Sequence, residues 1–245
     1  EPSQIKDNQI CISGSDVNHI KNVLRMKLKE EILISSGEDK EYTCYIEEIG
    51  KEEILAHIMY VQEAGYELSS KIYLFQGLPK SDKMELIIQK AVELGVHQVI
   101  PVASKRAVVK LDKKKEEKKI TRWQAISESA AKQSKRSLIP KVSEPVSYKE
   151  AVAYAMKLDQ KLVPYENERG MAATREAVEA VRPGESIGIF IGPEGGFAPE
   201  EIEAVKGEMK LISLGSRILR TETAGFTTLA ILMYHIETSC PEKSN

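Results

Sequence analysis

Little in this sequence invites cross-linking or metal binding. Its 245 residues include three cysteines, Cys11, Cys44 and Cys240, an odd number at wide spacing with no Cys-x-x-Cys. That argues against a disulfide framework or a zinc site and fits a reducing cytoplasm. The four histidines, His19, His57, His97 and His235, are scattered without metal-ligand spacing, so no metal is expected. The longest apolar stretch, near Ala230-Ile231-Leu232-Met233-Tyr234, falls far short of a membrane span. No signal-peptide pattern follows Glu1. Neither G-x-G-x-x-G nor G-x-x-x-x-G-K-[ST] occurs, so neither a dinucleotide site nor a nucleoside triphosphate site is supported. Net charge is also nearly absent, at −2, and gives no global attraction to nucleic acid.

What is present is uneven. Residues 1–70 hold 7 Lys/Arg against 14 Asp/Glu, and the remainder of the chain is net basic. Residues 105–136 concentrate that excess, with 12 Lys/Arg against 4 Asp/Glu. The hydrophobic content of 42% predicts a packed core, and the length allows one large domain or two ordinary ones.

The rhythm of the chain changes near Gly65–Ser70, which divides it into residues 1–70 and 71–245. Before that patch, a helix is expected from Ser15, with Val17, Ile20, Val23 and Leu24 on one face. Strand-like runs follow at Glu31–Ser35, Glu41–Glu47 and Glu53–Met59, and Ser36–Asp39 reads as a hairpin turn. Short strands with tight turns predict a small β-barrel. After the patch, strand Lys71–Phe75, a helix from Ser81 or Asp82 to Leu94, and strand Val96–Val102 form a βαβ unit, so a parallel sheet is expected. Further strands are expected at Lys161–Tyr165, Ser186–Ile191 and Met209–Leu214, and helices at 171–181, after Pro199 and over 222–237. In the basic section, Trp123, Ile126 and Ala130 form an apolar helical stripe. Arg122, Ser129, Gln133 and Arg136 fall on one polar face suited to phosphates and base edges; ordinary amphipathicity explains the same pattern.

Two loops stand out, each after a strand-like run and before a helix-like one. The first is Ile191-Gly192-Pro193-Glu194-Gly195-Gly196-Phe197. Its glycines permit close backbone approach, and its carboxylates suit a cationic ligand such as a sulfonium better than a triphosphate. The second is Leu214-Gly215-Ser216-Arg217-Ile218-Leu219-Arg220-Thr221-Glu222-Thr223-Ala224. Its apolar residues can surround a flat base. Thr221 or Thr223 could instead cap the last helix, and Glu222 could pair with an arginine. Loops at the carboxyl ends of neighbouring parallel strands are where such sheets place ligands.

Together these loops resemble the SPOUT superfamily of methyltransferases, and within it the bacterial 16S ribosomal RNA uridine-N3 methyltransferase family. Further motifs carry the resemblance across nearly the whole chain. They are His19-Ile20-x-x-Val23-Leu24-Arg25-Met26, Gly77-Leu78-Pro79-Lys80 with Lys83-Met84-Glu85, Gln89-Lys90-x-x-Glu93-Leu94-Gly95, Arg106-x-Val108-Val109-Lys110, and Trp123 with Glu128, Gln133, Arg136 and Ile139-Pro140. Ala107, where serine is usual, and Gly225-Phe226, where Pro-Leu is common, depart from the pattern. The resemblance implies an α/β fold: a trefoil-knotted parallel-sheet methyltransferase domain over 71–245, preceded by a PUA-like β-barrel over 1–70 that helps bind RNA.

It also implies S-adenosyl-L-methionine as cofactor, a uridine N3 in small-subunit ribosomal RNA as target, a homodimer formed through the C-terminal domain, and no membrane partner. Another RNA position, whether a ribose 2′-oxygen or a transfer RNA, and a non-catalytic RNA-binding assembly factor are the alternatives. The cofactor would be held by Leu162, Tyr165, Glu166, Ile191, Gly192, Glu194, Gly195, Gly196, Leu214, Gly215, Ile218, Leu219, Thr223 and Ala224. Arg220 would stabilise charge on the base, with Glu222 as the candidate proton acceptor. Arg25, Arg106, Lys110, Arg122, Lys132, Gln133 and Arg136 would contact RNA.

Overall fold

The structure is a computed structural model and describes residues 2–35, 40–63, 67–107 and 113–240. The expected hairpin turn Ser36–Asp39, residues 65 and 66 of the boundary patch, and Lys110 lie outside the described residues. The chain divides into two units, residues 1–67 with 136–138, and residues 68–135 with 139–245. A contiguous division at one patch does not anticipate the return of Arg136–Leu138 to the first unit.

The first unit is an antiparallel sheet of β1 (Ile5–Lys6), β2 (Gln9–Ser13), β3 (Glu31–Ser35), β4 (Lys40–Ile49) and β5 (Glu53–Glu63), paired in the order β1-β2-β5-β4-β3. These strands form the all-antiparallel sheet expected of this part, with β1 and β3 last in its order among the described residues. The β4–β5 register shifts between Thr43 and Cys44, where Met59 of β5 is the extra residue, and the inward-facing set on β4 changes at that point. Cys44 and Ile46 are buried beyond it, while Glu41 and Thr43 are buried before it. Glu41 tolerates this because Ser137 of the returning segment donates its hydroxyl to Glu41 Oε1 at 2.6 Å, and Gln62 adds a second bond at 3.1 Å. The helix expected from Ser15 is brief. α1 (Ser15–Asn18) widens into a π-helical stretch, His19–Val23. Val17 and Ile20 are buried, but the wider winding carries Val23 and Leu24 out to 62% and 54% exposure.

The second unit is a parallel sheet of seven strands. They are β6 (Lys71–Gly77), β7 (Gln98–Ala103), β8 (Lys141–Val142), β9 (Val146–Ser147), β10 (Gln160–Pro164), β11 (Ser186–Ile191) and β12 (Lys210–Ile212). The order is β12-β10-β11-β6-β7-β8, with β9 also on β7. Seven helices occur among the described residues, α1 and six more in this unit: α2 (Lys83–Glu93), α3 (Lys113–Gln133), α4 (Tyr148–Ala155), α5 (Ala172–Glu179), α6 (Pro199–Glu203) and α7 (Thr221–Ser239). Helices cover both faces, so the central strands are apolar on both sides, as parallel strands require. On one face Ile72, Leu74, Ile187 and Ile189 meet Ile87 and Ile88 of α2, Trp123 of α3, and Leu229 and Leu232 of α7. On the other, Phe75 stacks on Phe190 at 4.4 Å among Ala151, Ala155, Phe197 and Ile202.

Local signals set the helix starts. Ser147 and Glu150 form a capping box at α4, and Pro199 occupies the first turn of α6. α6 is five residues long and stops at Glu203. The two-residue strands β1, β8 and β9, and the longer β2, have no counterpart in the sequence reading.

Candidate functional site

Parallel pairing places the carboxyl ends of β6, β10, β11 and β12 along one edge of the sheet. The connections leaving β10, β11 and β12 line a single cavity of about 780 Å³ there. From the β10 connection come Tyr165, Glu166 and Arg169, and from the β11 connection Gly192, Glu194, Gly196 and Phe197. Leu214, Gly215, Arg217, Ile218, Leu219 and Arg220 come from the last connection, with Ala224 from α7.

The glycine loop needs its glycines for space. A Cβ on Gly192 would lie 2.9 Å from the Gly196 carbonyl carbon, so the loop folds back on itself only with glycine there. The turn is closed by the Gly196 amide donating to Pro193 O at 2.8 Å. Gly215 sits at φ +106°, backbone that a side chain strains.

A buried polar chain joins the two loops. Gln76, fully buried at the end of β6, donates to Thr221 Oγ1 at 2.9 Å and to Gly77 O at 3.0 Å. Thr221 Oγ1 in turn donates to Gly192 O at 2.6 Å. The hydroxyl of Thr221 therefore does not cap α7. Arg220 is the N-cap residue, without a side-chain cap bond. On the far side, Thr174 of α5 donates to Ser213 O at 2.7 Å and accepts from the Ser213 amide at 3.0 Å, which fixes the start of the last loop.

Charge is mixed along the wall. Glu194 accepts from the Lys80 amide at 3.1 Å and pairs with Lys83 Nζ at 3.1 Å. Burial raises the Glu194 carboxyl, but its own backbone hydrogen bond, Lys83 and the Lys80 amide more than offset this and hold it below the usual carboxylate range. Lys83 Nζ also lies 3.5 Å from Glu222 Oε2. Glu222 thus pairs with a lysine rather than an arginine, and it stands behind Lys83 instead of lining the cavity. Ile218, by contrast, is 87% exposed in the cavity wall, an apolar side chain that nothing among the described residues covers.

Three proposed cofactor contacts fall outside the wall. Leu162 is fully buried within β10, Gly195 offers its carbonyl to Arg106 Nη1 at 2.8 Å, and Thr223 is exposed on the first turn of α7.

Residues 66–233 match the family described as RNA methyltransferase domain, and residues 12–59 match the RNA methyltransferase PUA domain. The ribosomal RNA small subunit methyltransferase E of Bacillus subtilis is 37% identical over 230 residues, covering 92% of this chain and 90% of its own length. This chain belongs to the RNA methyltransferase family. A second relative of the same description, from Mesomycoplasma hyopneumoniae, is 34% identical over 91% of this chain and 93% of its own. Among solved structures, a ribosomal RNA small subunit methyltransferase E from Neisseria gonorrhoeae bound to S-adenosyl methionine superposes with a TM-score of 0.79. It is 31% identical and covers 92% of this chain and 91% of that one.

In this RNA methyltransferase the expected RNA contacts come from both units. Arg122 and Gln133 are exposed on α3. Arg122 is held by Glu85 of α2, with Nε 2.8 Å from Oε1. Lys132 pairs with Glu128 at 3.0 Å. Arg25 is exposed in the first unit at φ +54°. Arg136 departs from the expectation. α3 ends at Gln133, and the Arg136 side chain is 4% exposed, forked onto the Glu67 carboxylate. A buried guanidinium satisfied by a carboxylate cannot also grip a phosphate without breaking that pair.

Sequence reasoning passed over Gln76 and Lys83 as site residues. Lys83 lay inside the quoted Lys83-Met84-Glu85 motif, but nothing in linear spacing shows that α2 meets the loop after β11. Gln76 carried a weaker signal, a lone amide ending an apolar strand.

Proposed function

We propose that this protein transfers a methyl group from S-adenosyl-L-methionine to N3 of a uridine in small-subunit ribosomal RNA. The observation that carries the reading is the cavity at the carboxyl ends of four strands, walled by both loops, in a chain whose relatives are small-subunit ribosomal RNA methyltransferases. The residues present fit the cofactor. Ile218 and Leu219 offer apolar surface for an adenine, backbone at Gly192 and Gly215 can approach its edge, and the mixed charge of Glu166, Glu194 and Arg217 suits a zwitterionic amino-acid tail with a sulfonium. When bound, S-adenosylmethionine supplies the activated methyl group. The protein's own part is to hold the base and exclude water. Arg220, at the cavity rim, would face charge developing on the base oxygens. Arg25, Arg106, Arg122, Lys132 and Gln133 would draw in the RNA backbone.

The same reading has the C-terminal part threaded as a trefoil knot. Its support is that the loops after β11 and β12 lie against each other through Thr221 and Gly192 while α7 packs on α2. It also has two chains pairing through the C-terminal domain. An apolar groove along α5 and α7, with Met171, Val178, Ile231 and Tyr234, supports that pairing, since Tyr234 is 69% exposed. The site of action is the cytoplasm, consistent with free thiols at Cys11, Cys44 and Cys240.

Incubation with methyl-labelled cofactor and small subunits lacking the modification tests the reaction. Label on a uridine N3 is expected. Label on a ribose oxygen, label only on transfer RNA, or none at all refutes it.

A further inference from the structure

A catalytic charge works best when it is already in place before the reaction, because holding it then requires no reorganisation. The cavity wall contains the cations Lys83, Arg169, Arg217 and Arg220. Arg217 and Arg220 are exposed. Lys83 is anchored from two further elements. Its Nζ lies 3.1 Å from Glu194 Oε1 on the loop after β11 and 3.5 Å from Glu222 Oε2 on the first turn of α7. Glu222 Oε2 is buried without a hydrogen-bond partner, so the ammonium is the charge that compensates it. Glu194 is itself steadied by the Lys80 amide, through contacts of 3.1 and 3.2 Å. An ammonium has three donors. One is directed at Glu194, Glu222 is met as an ion pair at 3.5 Å, and because Lys83 lines the cavity, a donor remains to meet a ligand there.

We propose that Lys83 is a catalytic residue that hydrogen-bonds an oxygen of the target uracil and stabilises the anion formed when N3 loses its proton. The inference rests on the reaction assigned above. The N3–H bond breaks, the proton leaves to water, and the electron pair stays on N3, delocalised onto the flanking carbonyl oxygens. Lys83 lowers the energy of that anion by a charge-assisted hydrogen bond. The carboxylates of Glu194 and Glu222 hold the ammonium in place. Arg217 and Arg220 add positive charge from the loop after β12, and Glu166 and Arg169 face the same cavity from the loop after β10.

The test compares the wild type with Lys83→Met, Lys83→Gln and Lys83→Arg on unmethylated small subunits. It reads single-turnover rate against pH, cofactor affinity by calorimetry, and thermal stability. Lys83→Met is expected to lose roughly a hundredfold to a thousandfold in rate, with cofactor affinity within about threefold. The pH at which its rate levels off moves up by about one to two units, since the cation favouring the anion is gone. Lys83→Gln, which keeps a neutral donor, and Lys83→Arg recover part of the rate. A Lys83→Met rate close to wild type overturns the assignment. So does a loss of cofactor affinity as large as the loss of rate, which makes Lys83 a cofactor-binding residue. Should Lys83→Met melt before assay temperature, the Lys83→Gln pH profile decides: an unshifted profile overturns it. A wild type that transfers no methyl refutes the reaction itself, and is thereby distinct from a failure of Lys83 alone.

Discussion

Arg136→Ala separates a structural tie from an RNA contact. Arg136 presents Nε to both Glu67 oxygens at 3.2 Å and Nη2 to Oε2. Glu67 Oε1 also accepts the Ser137 and Leu138 amides at 3.1 Å each. Its side chain is 22% exposed. Removing one partner of a buried ion pair costs about 3–5 kcal/mol, because the other charge is left without compensation. Glu67 keeps its two amide donors and some solvent, so the lower end applies, roughly 3 kcal/mol. Lys at this position cannot fork, so Arg136→Lys should recover less than half of that, about 1 kcal/mol.

The loss falls in the first unit, about 70 residues in size. For a domain of that size each kcal/mol moves Tm by about 4–8 °C, so a fall of roughly 12 °C or more is expected. Cys44 reports it. The thiol is buried in this unit, and burial pushes its pKa up to about 11, so it reacts with a disulfide reagent at neutral pH only on opening. Calorimetry together with the rate of Cys44 labelling is the assay. Labelling of Cys44 should accelerate on the order of a hundredfold for 3 kcal/mol. An Arg136→Ala protein with unchanged Tm and Cys44 protection, but tenfold weaker binding to ribosomal RNA, would refute the structural reading and restore the phosphate contact.

Other outcomes follow from the site. Thr221→Val leaves Gly192 O and one Gln76 donor without their partner, at about 1–3 kcal/mol; cofactor affinity measured by calorimetry should fall about tenfold and Thr221→Ser should restore it, whereas unchanged affinity in Thr221→Val counts against the polar chain as a positioning device. Gly77→Ala places a Cβ 2.6 Å from the Pro193 ring and nitrogen; pushing that loop away costs about 1–3 kcal/mol, and wild-type cofactor affinity in this variant would mean the loop gives way freely. Glu194 has a depressed folded-state pKa, so its contribution is fully present above its ordinary value of 4.5 and is lost as pH falls through the lower folded value; melting curves between pH 3 and 6 should show Glu194→Gln converging on wild type at the acid end, and a constant gap between the two would contradict this linkage.

Much of the architecture was legible because it is a local signal. Lys71–Phe75, Ser186–Ile191 and the Pro199 helix start follow from apolar runs and capping chemistry, which neighbouring residues decide. The glycine loop was legible for the same reason: Gly192-Pro193-Glu194-Gly195-Gly196 cannot continue a strand or begin a helix. The misreadings share a different cause. Val23 and Leu24 fit a helical stripe until a π-helical turn shifts their face. The row Arg122, Ser129, Gln133 and Arg136 holds only if the helix continues, and it stops at Gln133. Glu41 reads as an exposed strand residue and is 1% exposed, because a bulge and a segment nearly a hundred residues away enclose it.

By itself the sequence determined two units of different rhythm, a parallel sheet, and two loops able to wall a site, since periodicity and turn chemistry are properties of consecutive residues. The tertiary structure alone decided which charges meet. Lys83 between Glu194 and Glu222, Arg136 on Glu67, and Thr221 between Gln76 and Gly192 join residues 29 to 145 positions apart. Such pairs depend on strand order and crossover, not on spacing along the chain. Electrostatic energy falls with distance through space, so the chemistry of this site was fixed only when the sheet brought its loops together.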